Sequence, residues 1–229
     1  MKLKALFVAM SLASSAAMAN DYNTQVDLDY YDYDSFNATS ITGTYYFDQV
    51  SLDSTAWGDA AFMGKNSNVS LNYTDLDGDY NTITLRGEFY GQGSNNFYGA
   101  LGYTDIDGDD SVVSGEVGYF FEDNWLMSIE TTDEDDSLIW LKTKYITKLS
   151  SGGFFNVEAS IDDEENDVAV KGEYFWNPQS SVALTLASHE GFDYRIDFEH
   201  FFNKQFALKV GYTATDGDDV IMAGLTGRF

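Results

Sequence analysis

Acidic side chains cluster in short turns along the whole chain, in a pattern that bears on cation binding. The turns hold more than half of the chain's 38 Asp and Glu residues and no Lys or Arg. The main candidates are Asp75, Asp77, Asp79, Asp105, Asp107, Asp109, Asp110, Asp133, Glu134, Asp135, Asp136, Asp162, Asp163, Glu164, Glu165, Asp216, Asp218 and Asp219. A ring of one charge concentrates cations and repels anions. The simpler alternative is a solvated rim that opposes aggregation.

The Asp-x-Asp-Gly-Asp turns also resemble calcium-binding loops. Twelve residues counted from Asp105 end on Glu116, but the sixth is Asp110 instead of the Gly that such a loop requires. The same count from Asp75 ends on Arg86. Asp-Gly is also a preferred tip of a two-residue hairpin, where both central residues need positive φ. We therefore predict hairpin turns, no specific metal site and no cofactor.

A second set of charged residues recurs inside segments that alternate between apolar and polar positions. Ile83 and Leu85 alternate with Arg86 and Glu88, for example. Because successive side chains of a strand point to opposite faces, such charges share one face. The candidates on the polar faces are Arg86, Glu88, Glu116, Glu130, Lys142, Lys144, Glu158, Lys171, Glu173, Arg195, Asp197, Glu199, Lys209 and Arg228, together with Asp27 and Asp29. They favour either facing rows of opposite charge across a wet interior or cross-strand ion pairs that stabilise a wall.

The charged residues can share one polar face only if the chain forms a regular series of strands. From Ser67 to the C-terminus, acidic turns alternate with turns that follow aromatic residues, and the strands between them have about 8 to 11 residues. A first hairpin, Asn23–Asp32 and Ala38–Phe47, brings the total to 14 strands. The number becomes 12 if that hairpin is peripheral, or 16 if Asp48–Asn66 contributes a pair. The prediction is an all-β, antiparallel, up-and-down β-barrel.

Three features predict that the apolar faces point into a membrane. Lys and Glu in the middle of the polar faces suit a wet lumen, and aromatic residues at strand ends suit an interfacial girdle. The chain also ends in Phe229, at the close of an amphipathic strand. A soluble barrel that fills its interior with side chains closes with about 8 strands. An even strand number places both termini on the periplasmic side and the acidic turns outside.

The N-terminus and the composition limit the remaining possibilities. Lys2 and Lys4, an apolar stretch and Ala17-Met18-Ala19 predict a signal peptide at residues 1–19, followed by one barrel domain at 20–229. A net charge of −26 excludes a nucleic-acid partner. With no Cys there is no disulfide framework.

Asp48–Asn66 is the one long segment that does not alternate. Ser54 and Thr55 offer a helix cap before Ala56–Met63. A long irregular segment in a compact barrel usually has a function. It is either a constriction or partial plug that enters the lumen from the periplasmic side, or a short periplasmic flap.

An enzymatic function is disfavoured. An outer-membrane lipase needs a Ser and a His at one site on the lipid-facing wall. His189 falls in an acidic turn and His200 near the opposite end of its strand. We therefore interpret the first as a loop residue and the second as an interfacial ring.

Taken together, the chain resembles the small porin family of Gram-negative proteobacteria. The likeness rests on the signal ending Ala17-Met18-Ala19, the stretch Trp57–Asn68, the acidic hairpin tips and terminal Phe229. The long constriction loop of the large porins is absent, so the resemblance implies neither a trimer nor their eyelet, and the oligomeric state stays open.

The resemblance implies passive diffusion of ions and small hydrophilic solutes across the outer membrane, and the acidic turns predict a preference for cations. The alternative is a closed or plugged barrel whose acidic loops serve adhesion or bind divalent ions. Expected partners are outer-membrane lipid, lipopolysaccharide, small solutes, and the barrel-assembly machinery through the C-terminal strand.

Overall fold

Fourteen strands make up most of the chain. The computed structural model describes residues 21–77, 80–93, 95–133, 139–164, 166–189, 191–217 and 219–229, so the predicted signal peptide lies outside the described residues. The strands are β1 (Asp21–Tyr33), β2 (Asn37–Ser51), β3 (Asn68–Leu76), β4 (Tyr80–Tyr90), β5 (Phe97–Ile106), β6 (Val112–Glu122), β7 (Trp125–Thr132), β8 (Ile139–Lys148), β9 (Phe154–Asp162), β10 (Val168–Asn177), β11 (Ser180–Ala187), β12 (Phe192–Phe201), β13 (Phe206–Thr215) and β14 (Val220–Arg228). One short helix, α1 (Ala60–Met63), lies between β2 and β3.

Each strand pairs antiparallel with its neighbours in sequence, and β1 pairs with β14 to close the sheet. At this seam Val26 lies opposite Gly227. The backbone N–H of Phe229 donates to the carbonyl of Thr24 at 2.8 Å, and the Phe229 carbonyl accepts from Asn23 and Thr24 at 2.9 Å. The predicted 14-stranded, up-and-down antiparallel barrel is therefore confirmed.

The outer surface of the barrel is apolar. Leu101 and Val117, in the middle of β5 and β6, are 71% and 69% exposed. A soluble protein rarely exposes so large a continuous apolar area, whereas a barrel in lipid requires one. None of the helices among the described residues is long and apolar enough to cross a membrane.

The turns divide between the two ends of the barrel. The acidic turns are longer than the predicted two-residue hairpins. The last paired residues are Leu76 and Tyr80 on either side of one turn, and Thr104 and Val112 on either side of the next. In the second of these turns Gly108 has φ +83°. A longer loop needs fewer residues with positive φ than a two-residue turn does. The turns at the opposite end are short, apart from the connection between β2 and β3.

The irregular segment begins later than Asp48. β2 continues to Ser51, and Val50 pairs with Tyr22 beyond a register shift in which the extra residues lie on β2. The predicted helix cap at Ser54 and Thr55 is wrong, since α1 begins only at Ala60 and Ser54 has φ +63°. Asp59 precedes α1 but makes no side-chain cap, because its carboxylate oxygens bond elsewhere.

Aromatic doublets mark the strand ends next to the short turns. Phe121 is 56% exposed on the outer surface, whereas Phe120 is 1% exposed. Trp176 and Phe175 repeat this division at the end of β10. Only half of these aromatics can therefore contribute to an interfacial girdle. The others form a buried inner belt, which we define as Tyr90, Tyr98, Phe120, Phe154, Phe175 and Phe201.

Candidate functional site

The connection between β2 and β3 folds into the barrel. We call residues 52–67 the inner segment. Trp57 contacts the ring of Phe201 with a centroid distance of 5.8 Å, and its backbone N–H donates to the carbonyl of Pro178 at 2.8 Å. Phe62 packs on Phe120 at 5.7 Å. Because these partners belong to the β6, β10–β11 and β12 regions, the inner segment crosses the lumen at the short-turn end.

A polar anchor holds the inner segment in this position. Asp59 accepts a hydrogen bond from Lys144 Nζ at 2.6 Å and one from Asn156 Nδ2 at 3.1 Å. A Cβ atom on the neighbouring Gly58 would lie 2.6 Å from Glu199 Oε2 and 3.4 Å from the ring of Phe175. The backbone of the inner segment therefore approaches the wall closely at Gly58, and a larger residue there would displace the Glu199 carboxylate.

Two charge networks cover the wall above the inner segment, and the first centres on Arg86. Its guanidinium contacts Glu88 at 3.4 Å, Glu130 at 3.0 Å and Glu116 at a shorter distance. Glu130 also pairs with Lys142. Charge-assisted bonds thus link Arg86 and Glu88 on β4 with Glu116 on β6, Glu130 on β7 and Lys142 on β8.

The second network spans β8 to β10. Lys144 lies 3.1 Å from Glu158, and Lys171 contacts both Glu158 at 3.6 Å and Glu173 at 3.0 Å. With Asp59, this network joins three wall strands to the inner segment.

Two further groups lie between β12 and β1. Arg195 pairs with Asp197 at 2.8 Å, and Lys209 contacts Asp27 at 3.2 Å and Asp29 at 2.8 Å. The two signs therefore alternate around the wall as neighbouring ion pairs. They do not stand as two rows that face each other across the lumen.

Two cavities lie among these charges. One of about 560 Å³ is lined by seven of the sequence-derived wall residues, namely Arg86, Glu88, Glu116, Lys142, Lys144, Glu158 and Lys171. The second, of about 310 Å³, is lined by Lys171, Glu173, Arg195, Asp197, Glu199 and Lys209. Arg228 lies apart from these groups: it is 3% exposed, and its guanidinium sits 4.6 Å from the ring of Tyr22 and 4.2 Å from that of Phe201.

One part of the wall carries no charge. The hydroxyl strip consists of the half-buried residues Ser40, Thr42, Thr44, Ser70, Asn72 and Thr74 on β2 and β3. Asn72 Nδ2 donates to Ser40 Oγ at 2.7 Å and to Thr42 Oγ1 at 2.8 Å, and Thr74 Oγ1 donates to Asn72 Oδ1 at 3.1 Å. The strip is thus an ordered surface of donors and acceptors.

The acidic turns form the opposite end of the barrel, and several of their carboxylates bond to nearby backbone N–H groups. Asp162 accepts bonds from three backbone N–H groups of its turn at 3.1 Å, and Asp133 accepts from Val113 N at 2.6 Å. Of the sequence-derived acids, Asp79, Glu134, Asp135, Asp136, Glu165 and Asp218 lie outside the described residues. In the described part, no group of His and acidic side chains has the arrangement of a metal site.

One Ser and one His meet, contrary to the expectation from the sequence. Ser180 Oγ and His200 Nδ1 are 2.8 Å apart, on directly paired positions of β11 and β12. Register brings them together although they are twenty residues apart in the chain. Ser180 is only 3% exposed, so its hydroxyl is not open to a substrate.

The inner aromatic belt and the anchor at Asp59 were not predicted from the sequence. A usable signal existed for the belt, because two adjacent residues of a strand point to opposite faces. One member of each aromatic doublet therefore had to face inward. Asp59 carried no such signal, since the inner segment has no period of two.

Comparisons with known proteins agree with this architecture. A family model described as "Putative general bacterial porin" matches residues 1–141 and 131–226. The outer membrane protein Omp33 of Acinetobacter baumannii has a similar structure, with a TM-score of 0.85, 22% sequence identity, and coverage of 93% of this chain and 100% of that one. The KdgM porin aligns with a TM-score of 0.51 and 7% identity over 90% of this chain and 99% of its own. No curated protein matches the sequence.

Proposed function

The chain belongs to the general bacterial porin family of the outer membrane, and from that premise we propose passive diffusion of ions and small hydrophilic solutes through its lumen, with a preference for cations. The observation that carries the proposal is the cavity of about 560 Å³ inside a closed barrel, lined by charged side chains while the outer surface is apolar. Polar linings of this kind select solutes by hydrogen bonding and charge.

The ion-paired wall supports diffusion of small polar solutes in particular. Six of the seven wall cations that the sequence indicated contact carboxylates within 4 Å. A passing solute can therefore exchange hydrogen bonds with the wall without leaving a buried charge unpaired. Gly211, opposite Asp197, leaves room for this lining: a Cβ there would lie 2.6 Å from Asp197 Oδ1.

The cation preference rests on the acidic turns. They contain carboxylates and no Lys or Arg, and we place them on the extracellular side. Exposed charges of one sign raise the local concentration of counter-ions over about 8 to 10 Å at physiological salt.

The test is the conductance of the refolded mature protein in a planar bilayer under a salt gradient. We expect a steady open level whose reversal potential indicates cation preference. Folded protein that leaves the bilayer silent would overturn the diffusion proposal.

A second candidate, a plugged barrel, is favoured by one observation: the inner segment crosses the lumen at the short-turn end. In this alternative the acidic turns serve surface charge, adhesion or loose binding of divalent ions. It predicts no ohmic current until the inner segment is removed.

The proposed partners follow from the same surfaces. The apolar wall contacts outer-membrane lipid, and divalent ions held by the acidic turns bridge to lipopolysaccharide phosphates. We assign Phe229 and β14 to recognition by the barrel-assembly machinery. Heat-modifiable migration of wild-type protein, compared with a variant lacking Phe229 after expression in a Gram-negative host, tests that assignment.

A further inference from the structure

One side of the lumen differs chemically from the remainder. The hydroxyl strip on β2 and β3 has no ionisable side chain, whereas the wall from β6 to β10 is covered by ion pairs. Thr84 and Thr104 extend the neutral surface onto β4 and β5, with their hydroxyl oxygens 3.0 Å apart. The strip begins at Ser40 and Thr74, near the acidic turns, and descends along paired positions of both strands.

The strip ends at a separate pocket of about 300 Å³ above the inner segment. Its lining includes Thr42, Thr44 and Ser70 from the strip, Glu88 from β4, and Asp59 and Ala61 from the inner segment. This volume is at the lower end of the range of about 300 to 1,000 Å³ for small-molecule sites. It suits a solute of monosaccharide size.

We propose that the hydroxyl strip and this pocket bind uncharged polyhydroxylated solutes of monosaccharide size on their way through the lumen. The inference rests on the proposed function, because it names a class of solute for the same lumen. Each Ser and Thr hydroxyl donates one hydrogen bond and accepts two, which matches the hydroxyls of a sugar.

The charges at the bottom of the pocket favour the same class. Asp59 and Glu88 each present a carboxylate, and a carboxylate accepts hydrogen bonds from neighbouring hydroxyls with charge assistance. Both already have cationic partners, Lys144 for Asp59 and Arg86 for Glu88, so the pocket needs no additional cation. A cation that moved along the strip would pass Asp27 and Asp29, which lie opposite Thr42 and Ser40 on β1, but both carboxylates are already paired with Lys209.

The experiment is a titration of the refolded full chain in detergent micelles with D-glucose, followed by NMR of methyl groups. The methyls of Thr42, Thr44 and Ala61 report on the pocket. We expect saturable shifts at these three groups. In the double variant Thr42→Val/Thr44→Val, we expect the Kd, read from Ala61, to rise about ten-fold, since two hydrogen-bonding groups are lost at nearly constant shape.

The matched control is Thr185→Val, which removes a hydroxyl from the lining of the larger, charged cavity on β11. Its glucose Kd should stay at the wild-type value. Glycine, a zwitterion of smaller size, serves as the competing probe and should shift the pocket methyls less than glucose does. Native migration of each variant on a heat-modifiability gel verifies folding.

Several results would overturn the inference. The first is the absence of glucose-induced shifts in wild-type protein. The second is an equal rise of the glucose Kd in Thr42→Val/Thr44→Val and in Thr185→Val, and the third is stronger binding of glycine than of glucose. Potassium chloride conductance is recorded separately. Glucose binding in a barrel without conductance rejects the diffusion proposal alone, whereas conductance without glucose binding rejects this inference alone.

Discussion

The two ends of the barrel are built on different principles. At the acidic end, carboxylates of the turns bond to nearby backbone N–H groups, as Asp162 does within its own loop. At the short-turn end, rings from distant strands pack on the inner segment, and Phe120, Phe175 and Phe201 are each 1% exposed. The first end is held by local polar bonds and the second by long-range apolar packing.

This difference separates charge selection from restriction of flow. Exposed charges at the acidic end act on ions over a distance and are weakened by salt. The inner segment acts by occupying space, and its buried contacts are nearly independent of ionic strength. We therefore expect changes at the short-turn end to alter how much current flows, and changes at the acidic end to alter which ion carries it.

Removal of the inner segment should have the largest effect. Replacement of residues 54–64 by a short Gly-Ser linker removes Trp57, Asp59 and Phe62 from the lumen. Since these residues cross the barrel, single-channel conductance should rise several-fold. The measurement is single-channel recording beside a matched variant with the same linker in place of residues 150–152, in a short turn outside the lumen. Equal conductance of the deletion variant and wild type would show that the segment does not restrict flow.

Truncation of the inner belt should have the next largest effect. Phe175→Ala removes a ring that is 1% exposed, and a buried Phe→Ala change costs about 3 to 5 kcal/mol. Phe202→Ala, on the outer surface and 63% exposed, removes contacts with lipid and should cost less. Urea unfolding in lipid vesicles gives both free energies of unfolding. A loss of stability in Phe202→Ala as large as that in Phe175→Ala would mean that the inner belt and the outer aromatic residues contribute equally to stability.

Much of the barrel could be predicted from the sequence because its information is local. A period of two fixes the face of every strand residue, and turns that recur at regular intervals fix the number of strands. Arg86 and Glu88 thus share a face by their spacing alone. The contacts of Arg86 with Glu116 and Glu130 then depend on register, which alternation restricts closely.

The position of the inner segment could not be predicted in this way. Trp57 contacts Phe201 and Asp59 contacts Lys144, and neither pair is related by a strand register. No period in residues 52–67 indicates which side chains turn toward the wall. The cap predicted at Ser54 failed for a related reason, since tertiary bonds to Asp59 and packing of Phe62 decide where the single helical turn forms.

Loss of the polar anchor of the inner segment should have a smaller effect than truncation of the inner belt. Asp59→Asn keeps the size of the side chain but leaves Lys144 with Glu158 as its charged partner. A lost charged hydrogen bond costs about 1 to 3 kcal/mol, so the segment should be less tightly held and current fluctuations should increase. Bilayer recordings at fixed voltage measure them, with Asp109→Asn, in an acidic turn at the other end of the barrel, as control. Fluctuations that rise equally in both variants would argue against an anchor.

Neutralisation of one acidic turn should have the smallest effect, and one confined to selectivity. Asp105, Asp107, Asp109 and Asp110 changed to Asn retain the oxygen that accepts bonds such as Asp110 N to Asp109 Oδ1 at 2.8 Å. The ratio of cation to anion permeability should fall about two-fold at 0.01 M salt, where charges act over about 30 Å, and stay nearly constant at 1 M, where the range is about 3 Å. Conductance at high salt should equal that of the wild type. Reversal potentials that do not change at low salt would place the selectivity among the ion pairs of the wall, and the division of labour between the two ends would be wrong.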